Sequence, residues 1–356
     1  MKQLSQIYLV LLLFTGLQGC STFGYYSQAI GGHASLMMRS QPVEEVIRQP
    51  GTPPELQHKL TTALAAAAFA RNTLQLPVGG AFSDFVALEH PWVVVNLVAV
   101  PEFSLQPHQW CYPVIGCQAY RGYFDLKPAQ TEQARFQAAG FDTFIGGVTA
   151  YSTLGWFDDP LHSGFTALPE ARMVALIFHE LAHRVVYLNG DTAFNESFAT
   201  AVELEGLRLW LEQQQSPEQF DLALKRLEHR NRTFELVQAT SEKLRGLYQR
   251  HDQIGPGPLR QRKRDLLTEL AGQYERLSQN YPEPGPFGTP PVQLNNANLA
   301  LFQQYNQYVP GFRQLLRESG DDFSRFYNAV TDLAAEPAGE RQQTLESLSQ
   351  RFNEHL

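Results

Sequence analysis

One pentapeptide constrains this chain more than any other feature. His179-Glu180-Leu181-Ala182-His183 is an HExxH motif set between two apolar runs, Met173-Val174-Ala175-Leu176-Ile177 and Val185-Val186-Tyr187. Residues four apart lie on one face of a helix. Both imidazoles can therefore face one metal ion, while Glu180, one step round, reaches a water on that metal. This is the zinc-hydrolase arrangement of two histidine ligands and a glutamate general base. The flanks predict a helix buried on nearly every side, carrying its polar side chains inward. A solvated surface helix is the plain alternative, and the apolar context argues against it.

The residues after the motif supply what it lacks. Asn189-Gly190-Asp191 is a turn signal that ends the helix and reverses the chain. Asn195-Glu196-Ser197-Phe198-Ala199 then opens a second apolar-periodic segment, predicted helical to Leu211. A carboxylate brought back on that helix gives a third protein ligand and leaves the fourth position open, as a catalytic zinc site requires. Glu196 is the first candidate and Glu203 the reserve. The two are seven residues apart on one face, so Glu203 also fits as a hydrogen-bond partner of a ligating histidine.

HExxH followed by Asn195-Glu196-Ser197-Phe198-Ala199 resembles the glutamate-ligand zincins, the thermolysin and zinc-aminopeptidase groups. In those groups the glutamate of the second motif is the third ligand, which maps to Glu196. The spacing departs from theirs: Glu196 follows His183 by thirteen positions, whereas their glutamate stands farther on, near where Glu203 falls. A closer resemblance is to a bacterial family of predicted zinc aminopeptidases that carry a lipoprotein signal. It rests on Cys111 and Cys117 with Tyr120-Arg121-Gly122-Tyr123-Phe124, on Ala150 to Phe157, on the two metal motifs and on Asn295-Asn296-Ala297. The resemblance implies an α+β, zincin-like fold: a small mixed sheet packed on the HExxH helix, followed by a largely helical C-terminal half. It also implies one zinc ion and peptide or protein substrates. Its edge strand for substrate falls at Gly147 to Thr153.

The N-terminus reads as a targeting segment. Lys2 precedes an apolar stretch from Ile7 to Phe14 that is too short to span a bilayer. Leu17-Gln18-Gly19-Cys20 looks like a lipobox, which makes residues 1–19 a lipoprotein signal peptide and Cys20 the lipidated residue. Ser21, by similarity to the sorting pattern of Gram-negative lipoproteins, favours the outer membrane facing the periplasm. Cys111 and Cys117 are then the remaining cysteines in an oxidising compartment and read as a short-loop disulfide. The chain carries a net charge of −8 and no dense basic run, so no nucleic-acid partner is expected.

Residues 20–54 read as a lipid-anchored tether and a first helical segment, weakly helical over Met37 to Ile47. Residues 55–210 read as the catalytic core and 211–356 as a helical region. Glu55 to Leu76 is a strong Ala-rich helix. Pro91 to Val100, Gly122 to Phe124 and Phe141 to Tyr151 read as strands. Glu218 to Gln249 and Pro258 to Asn280 form a Leu-periodic hairpin, and helices follow from Asn295 onward. Tyr151, with Tyr305 as a second candidate, could donate a hydrogen bond to the oxyanion of an attacked carbonyl. Tyr120, Arg121 and Tyr123 could line a cleft. Glu102, Asp158 and Asp159 are the acidic residues placed to hold a substrate α-amine. His162 reads as structural. The expected activity is zinc-dependent peptide hydrolysis, with aminopeptidase specificity from the resemblance. The reading from another class is a non-catalytic envelope lipoprotein that binds a partner and holds a structural metal.

Overall fold

The computed structural model describes residues 25–28, 30–112, 116–148, 158–303 and 307–352. Residues 25–28 and 30–39 are helical and lead into β1 (Gln41–Pro42) and α1 (Val43–Arg48). The expected helix over Met37 to Ile47 is thus two helices with a short strand between them. After the Gly51 to Pro53 break, α2 (Pro54–Asn72) starts with proline in its first turn, where the missing N–H costs nothing. Its run of alanines lets neighbours approach closely.

Strands β2 (Asp84–Val86), β3 (Val94–Pro101), β4 (Trp110–Tyr112), β5 (Gly116–Gln118) and β6 (Arg121–Tyr123) follow. Helix α3 (Leu126–Ala138) is capped by Asp125, which accepts from the Lys127 N–H. It leads into β7 (Phe141–Val148), β8 (Leu161–His162) and the single turn α4 (Ser163–Thr166). Cys111 and Cys117 stand opposite each other across β4 and β5 and are joined as a disulfide.

The strands form two kinds of sheet. The long β3 is the centre of an antiparallel sheet in the order β6-β3-β7, with β7 on an edge. This sheet has its own core of Val95, Leu97, Ala99, Trp110 and Tyr123, covered by α3. The mixed sheet is built from three short strands: β2 pairs antiparallel with β1 and parallel with β8. It shares the main core with the HExxH helix through Phe85 and Leu161. Gly147 and Val148 of the expected substrate edge lie on β7, and residues 149–157 fall outside the described residues.

The HExxH helix is α5 (Glu170–Ala182), with Met173, Val174, Ala175, Ile177, Phe178, Leu181 and Ala182 buried. It packs between α2 and α6 (Thr192–Gln213). It is shorter than the apolar pattern suggests. His183 is its C-cap, and Val185 to Tyr187 lie beyond its end. Helix α6 begins at Asp191, whose side chain accepts from the Phe194 N–H.

Two long helices, α7 (Phe220–Tyr248) and α8 (Pro256–Ser278), make the expected hairpin around a core of Val237, Leu244, Leu259 and Leu270. The short α9 (Asn296–Ala300) opens with a capping box on Asn295. Asn296 is fully buried. It accepts from the Tyr248 hydroxyl at 2.8 Å and donates to the carbonyls of Glu102 and Ser104, which ties the hairpin to the antiparallel sheet. Helices α10 (Val309–Glu318), α11 (Phe323–Ala335) and α12 (Ala338–Arg351) complete the main core around α6. The C-terminal half is largely helical, so the architecture is α+β. No described helix is long and apolar enough to cross a membrane.

Candidate metal centre

His179 projects from the last turn of α5, and His183 caps it in a right-handed helical conformation, so the i, i+4 relation survives the early end of the helix. Their rings are 4.9 Å apart, nearly perpendicular. Glu196 comes from the first turns of α6. His179 Nε2 is 3.4 Å from Glu196 Oε2, and His183 Nε2 is 3.8 Å from Glu196 Oε1. The ligand atoms of His179, His183 and Glu196 all lie within 4.8 Å of one another, so this set can hold a metal ion.

The fit to zinc is chemical as well as geometric. Two ligands at about 2.0–2.1 Å from a tetrahedral ion stand roughly 3.4 Å apart, close to the spacing seen here. Glu203 does not join this group. Its Oε2 lies 3.0 Å from His179 Nδ1, on the far side of the ring. That bond fixes the ring and leaves Nε2 directed at Glu196. Glu203 thus stands as the partner of a histidine, while Glu196 occupies the third corner.

The carboxylates around the site hold a positive charge on His179. Burial alone would lower the pKa of His179, but hydrogen bonds to Glu196 and Glu203 reverse this and drive the ring to carry positive charge. Burial would raise Glu196. The hydrogen bond and charge of His179, with His183 and Arg230, instead pull it down to about 2. His183 is lowered to about 4, first by burial and then by the neighbouring His179. Glu180 is raised to about 7 by burial, with His179 opposing and the charges of Glu196, Asp159 and Glu203 adding to the rise. A carboxylate poised near neutrality beside a metal site is suited to proton transfer.

The other sequence candidates separate. Glu102 is gripped by Arg260 at 2.6 and 2.9 Å, far along the hairpin side. Asp158 meets Arg184 at 3.3 Å and the Gly80 N–H at 3.1 Å. Asp159 is buried, and its charge is felt by Glu180. Arg121 and Tyr123 do not line the metal site. Both bond to Glu132 on α3, which also accepts from Trp110 Nε1 at 3.1 Å. Tyr120 is different: burial raises its pKa, and Tyr187, Tyr25 and Glu196 add to the rise, which places its hydroxyl in the field of the site. His162 Nδ1 accepts from the Gly164 N–H at 3.1 Å and caps α4. Tyr151, Tyr305 and Cys20 lie outside the described residues.

Two kinds of residue escaped the sequence reading. Tyr187 lies past the helix end with its ring centroid 6.3 Å from that of His183. Arg172 and Arg230 line a cavity that also touches Glu203. Arg172 stands seven residues before His179, a helical spacing that was available in the sequence. Arg230 belongs to a distant helix, and nothing local placed it there.

No curated protein and no solved structure matches the chain. A family model described as "Putative aminopeptidase" matches residues 24–345. The match spans most of the 356 residues, including both metal motifs, and it supports peptidase activity. The chain belongs to that aminopeptidase family.

Proposed function

We propose that this chain is a zinc-dependent peptidase that removes residues from the amino termini of peptides. The observation that carries the reading is the convergence of His179, His183 and Glu196 beside Glu180, with Glu203 fixing His179 from behind. Zinc would be held by those three side chains and would supply Lewis acidity, acidifying a water and polarising the scissile carbonyl.

The remaining work falls to the protein. The Glu180 carboxylate takes a proton from the attacking water and delivers it to the departing amine nitrogen. The Tyr151 hydroxyl donates to the carbonyl oxygen as negative charge builds there. Asp159 holds the substrate α-amine. It is buried, and its charge reaches Glu180. The edge of β7 that is unpaired among the described residues receives the peptide backbone. The protein acts in the periplasm, held to the outer membrane by acyl chains on Cys20.

The test pairs metal analysis with hydrolysis of a fluorogenic peptide library, supplied with free and with blocked amino termini. Wild type binds stoichiometric zinc and prefers free termini. Glu180→Gln keeps the metal and loses cleavage, and Asp159→Asn loses the preference for free termini. Stoichiometric zinc with no cleavage by the wild type would overturn the reading.

A further inference from the structure

A cavity of about 340 Å³ adjoins the metal centre, walled by α5, α6, α7 and Pro284 to Pro286. It carries Arg172, Arg226 and Arg230 together with Glu203 and His229. Helical spacing ties it to the metal site. Arg172 is seven residues from His179 on α5, Glu203 is seven from Glu196 on α6, and Arg226 and Arg230 are four apart on α7. The faces that hold the ligands continue directly into the arginine-lined wall.

The charged groups there differ in how they are engaged. Arg226 is matched by Glu283, with contacts of 3.2 and 3.4 Å. Glu203 is engaged by His179. Arg172 and Arg230 make no hydrogen bond or ion pair among the described residues. Both are exposed at the mouth of one concavity, in a chain whose net charge is −8. An anion in the concavity is attracted by both. The planar fork of arginine matches a carboxylate with two parallel hydrogen bonds.

We propose that this cavity is a subsite for a substrate carboxylate, which directs the enzyme to short peptides or to peptides acidic just beyond the cleaved bond. The inference rests on the peptidase reading above. Glu203 stands one imidazole ring away from the metal-facing nitrogen of His179 and also borders the cavity. Arg172 stands seven residues, about 10 Å along the helix axis, from His179. An extended peptide advances about 3.4 Å per residue, so a carboxylate roughly two to three residues past the scissile bond covers that distance within reach of an arginine side chain. The carboxylate is either the C-terminus of a short peptide or an aspartate or glutamate side chain.

The experiment is calorimetric binding to the zinc-loaded protein carrying Glu180→Gln. The ligands are trialanine, trialanine amide and Ala-Ala-Glu amide. At least one ligand with a carboxylate binds about tenfold tighter than trialanine amide. Trialanine as that ligand marks the C-terminus as the source, and Ala-Ala-Glu amide marks the side chain. Adding Arg172→Met and Arg230→Met brings all three affinities within about twofold without lowering Tm. Equal binding of the three ligands before those substitutions, no binding by any, or a preference that survives both substitutions would overturn the proposal. Peptide cleavage by Glu180→Gln at the wild-type rate would instead sink the peptidase mechanism, and the carboxylate preference is read separately from it.

Discussion

Glu180 and Glu203 are both carboxylates beside His179, yet their surroundings give them different work. Glu180 is raised to about 7 by burial and, among the described residues, makes no hydrogen bond or ion pair that fixes it as an anion. Glu203 is spent on orienting His179 Nδ1. Replacing Glu180 with glutamine should therefore lower kcat by about 10²–10⁴ and leave metal content intact. Glu203→Ala should weaken zinc affinity by about 10–100-fold, less than Glu196→Ala does, because it frees a ring but keeps three ligands. Zinc titration of the purified variants checks the order. If Glu203→Ala alone abolishes binding, Glu203 and not Glu196 is the third ligand. His162 offers a separate test at the same scale. Burial lowers its pKa to about 4, and its neutral Nδ1 must accept from the Gly164 N–H. The folded state binds fewer protons there than the unfolded state, whose histidine titrates near 6.5. The stabilisation is therefore full above pH 6.5 and is lost as pH falls toward 4, by about 3 kcal/mol in all. Urea midpoints between pH 7 and 4.5 should fall less steeply in His162→Asn, which keeps a capping oxygen but does not titrate.

Between elements, α6 is the member that everything else holds. Its Glu205, buried, accepts from Arg313 on α10 at 2.6 Å and from Arg208 at 2.9 Å. Arg313 is itself buried, so Arg313→Met leaves an anion with one half-exposed partner and should cost about 3 kcal/mol in urea denaturation. Arg208→Ala should cost under about 1 kcal/mol, because solvent screens it. How far such elements could be read in advance depended on how local their signals were. The i, i+4 pair in HExxH, the Asn189 to Asp191 turn and the Leu-periodic hairpin were legible because each is written within a few turns of chain. The end of α5 was not. Val185 to Tyr187 continue the apolar pattern, and no glycine or proline marks the stop at His183. Strands β1, β2 and β8 have two or three residues each, too short for alternation to register. A small mixed sheet on α5 was expected, but the strands that compose it were therefore missed, while the longer β3 and β7 were found. Glu196 against Glu203 was left open by spacing alone, since both lie on one helical face and only the packing of α6 on α5 decides which meets both imidazoles.

At the scale of the molecule, the metal centre is a clasp between two helices already buried in the main core. The cluster gathers three carboxylates, Glu180, Glu196 and Glu203, around two imidazoles in a site largely closed to water. A metal ion would take the place of the proton these carboxylates hold on His179 and would bridge two helices, so zinc should act on the folded state as a stabilising ligand. A ligand that binds only the native state at about 1,000 times its Kd adds about 4 kcal/mol, which for a chain of this size is about 5 °C in Tm. Chelation should lower Tm by that order, and added zinc should restore it. His183→Ala should melt at the chelated temperature with or without zinc, whereas Glu180→Gln should keep the whole shift, because it spares the ligands. Activity measured on the same samples separates the two jobs a metal can have. A chelator that lowers Tm in a protein that never cleaved a peptide identifies a structural ion. A chelator that abolishes cleavage reversibly, in a protein where Glu180→Gln retains the thermal shift but not the activity, identifies a catalytic one.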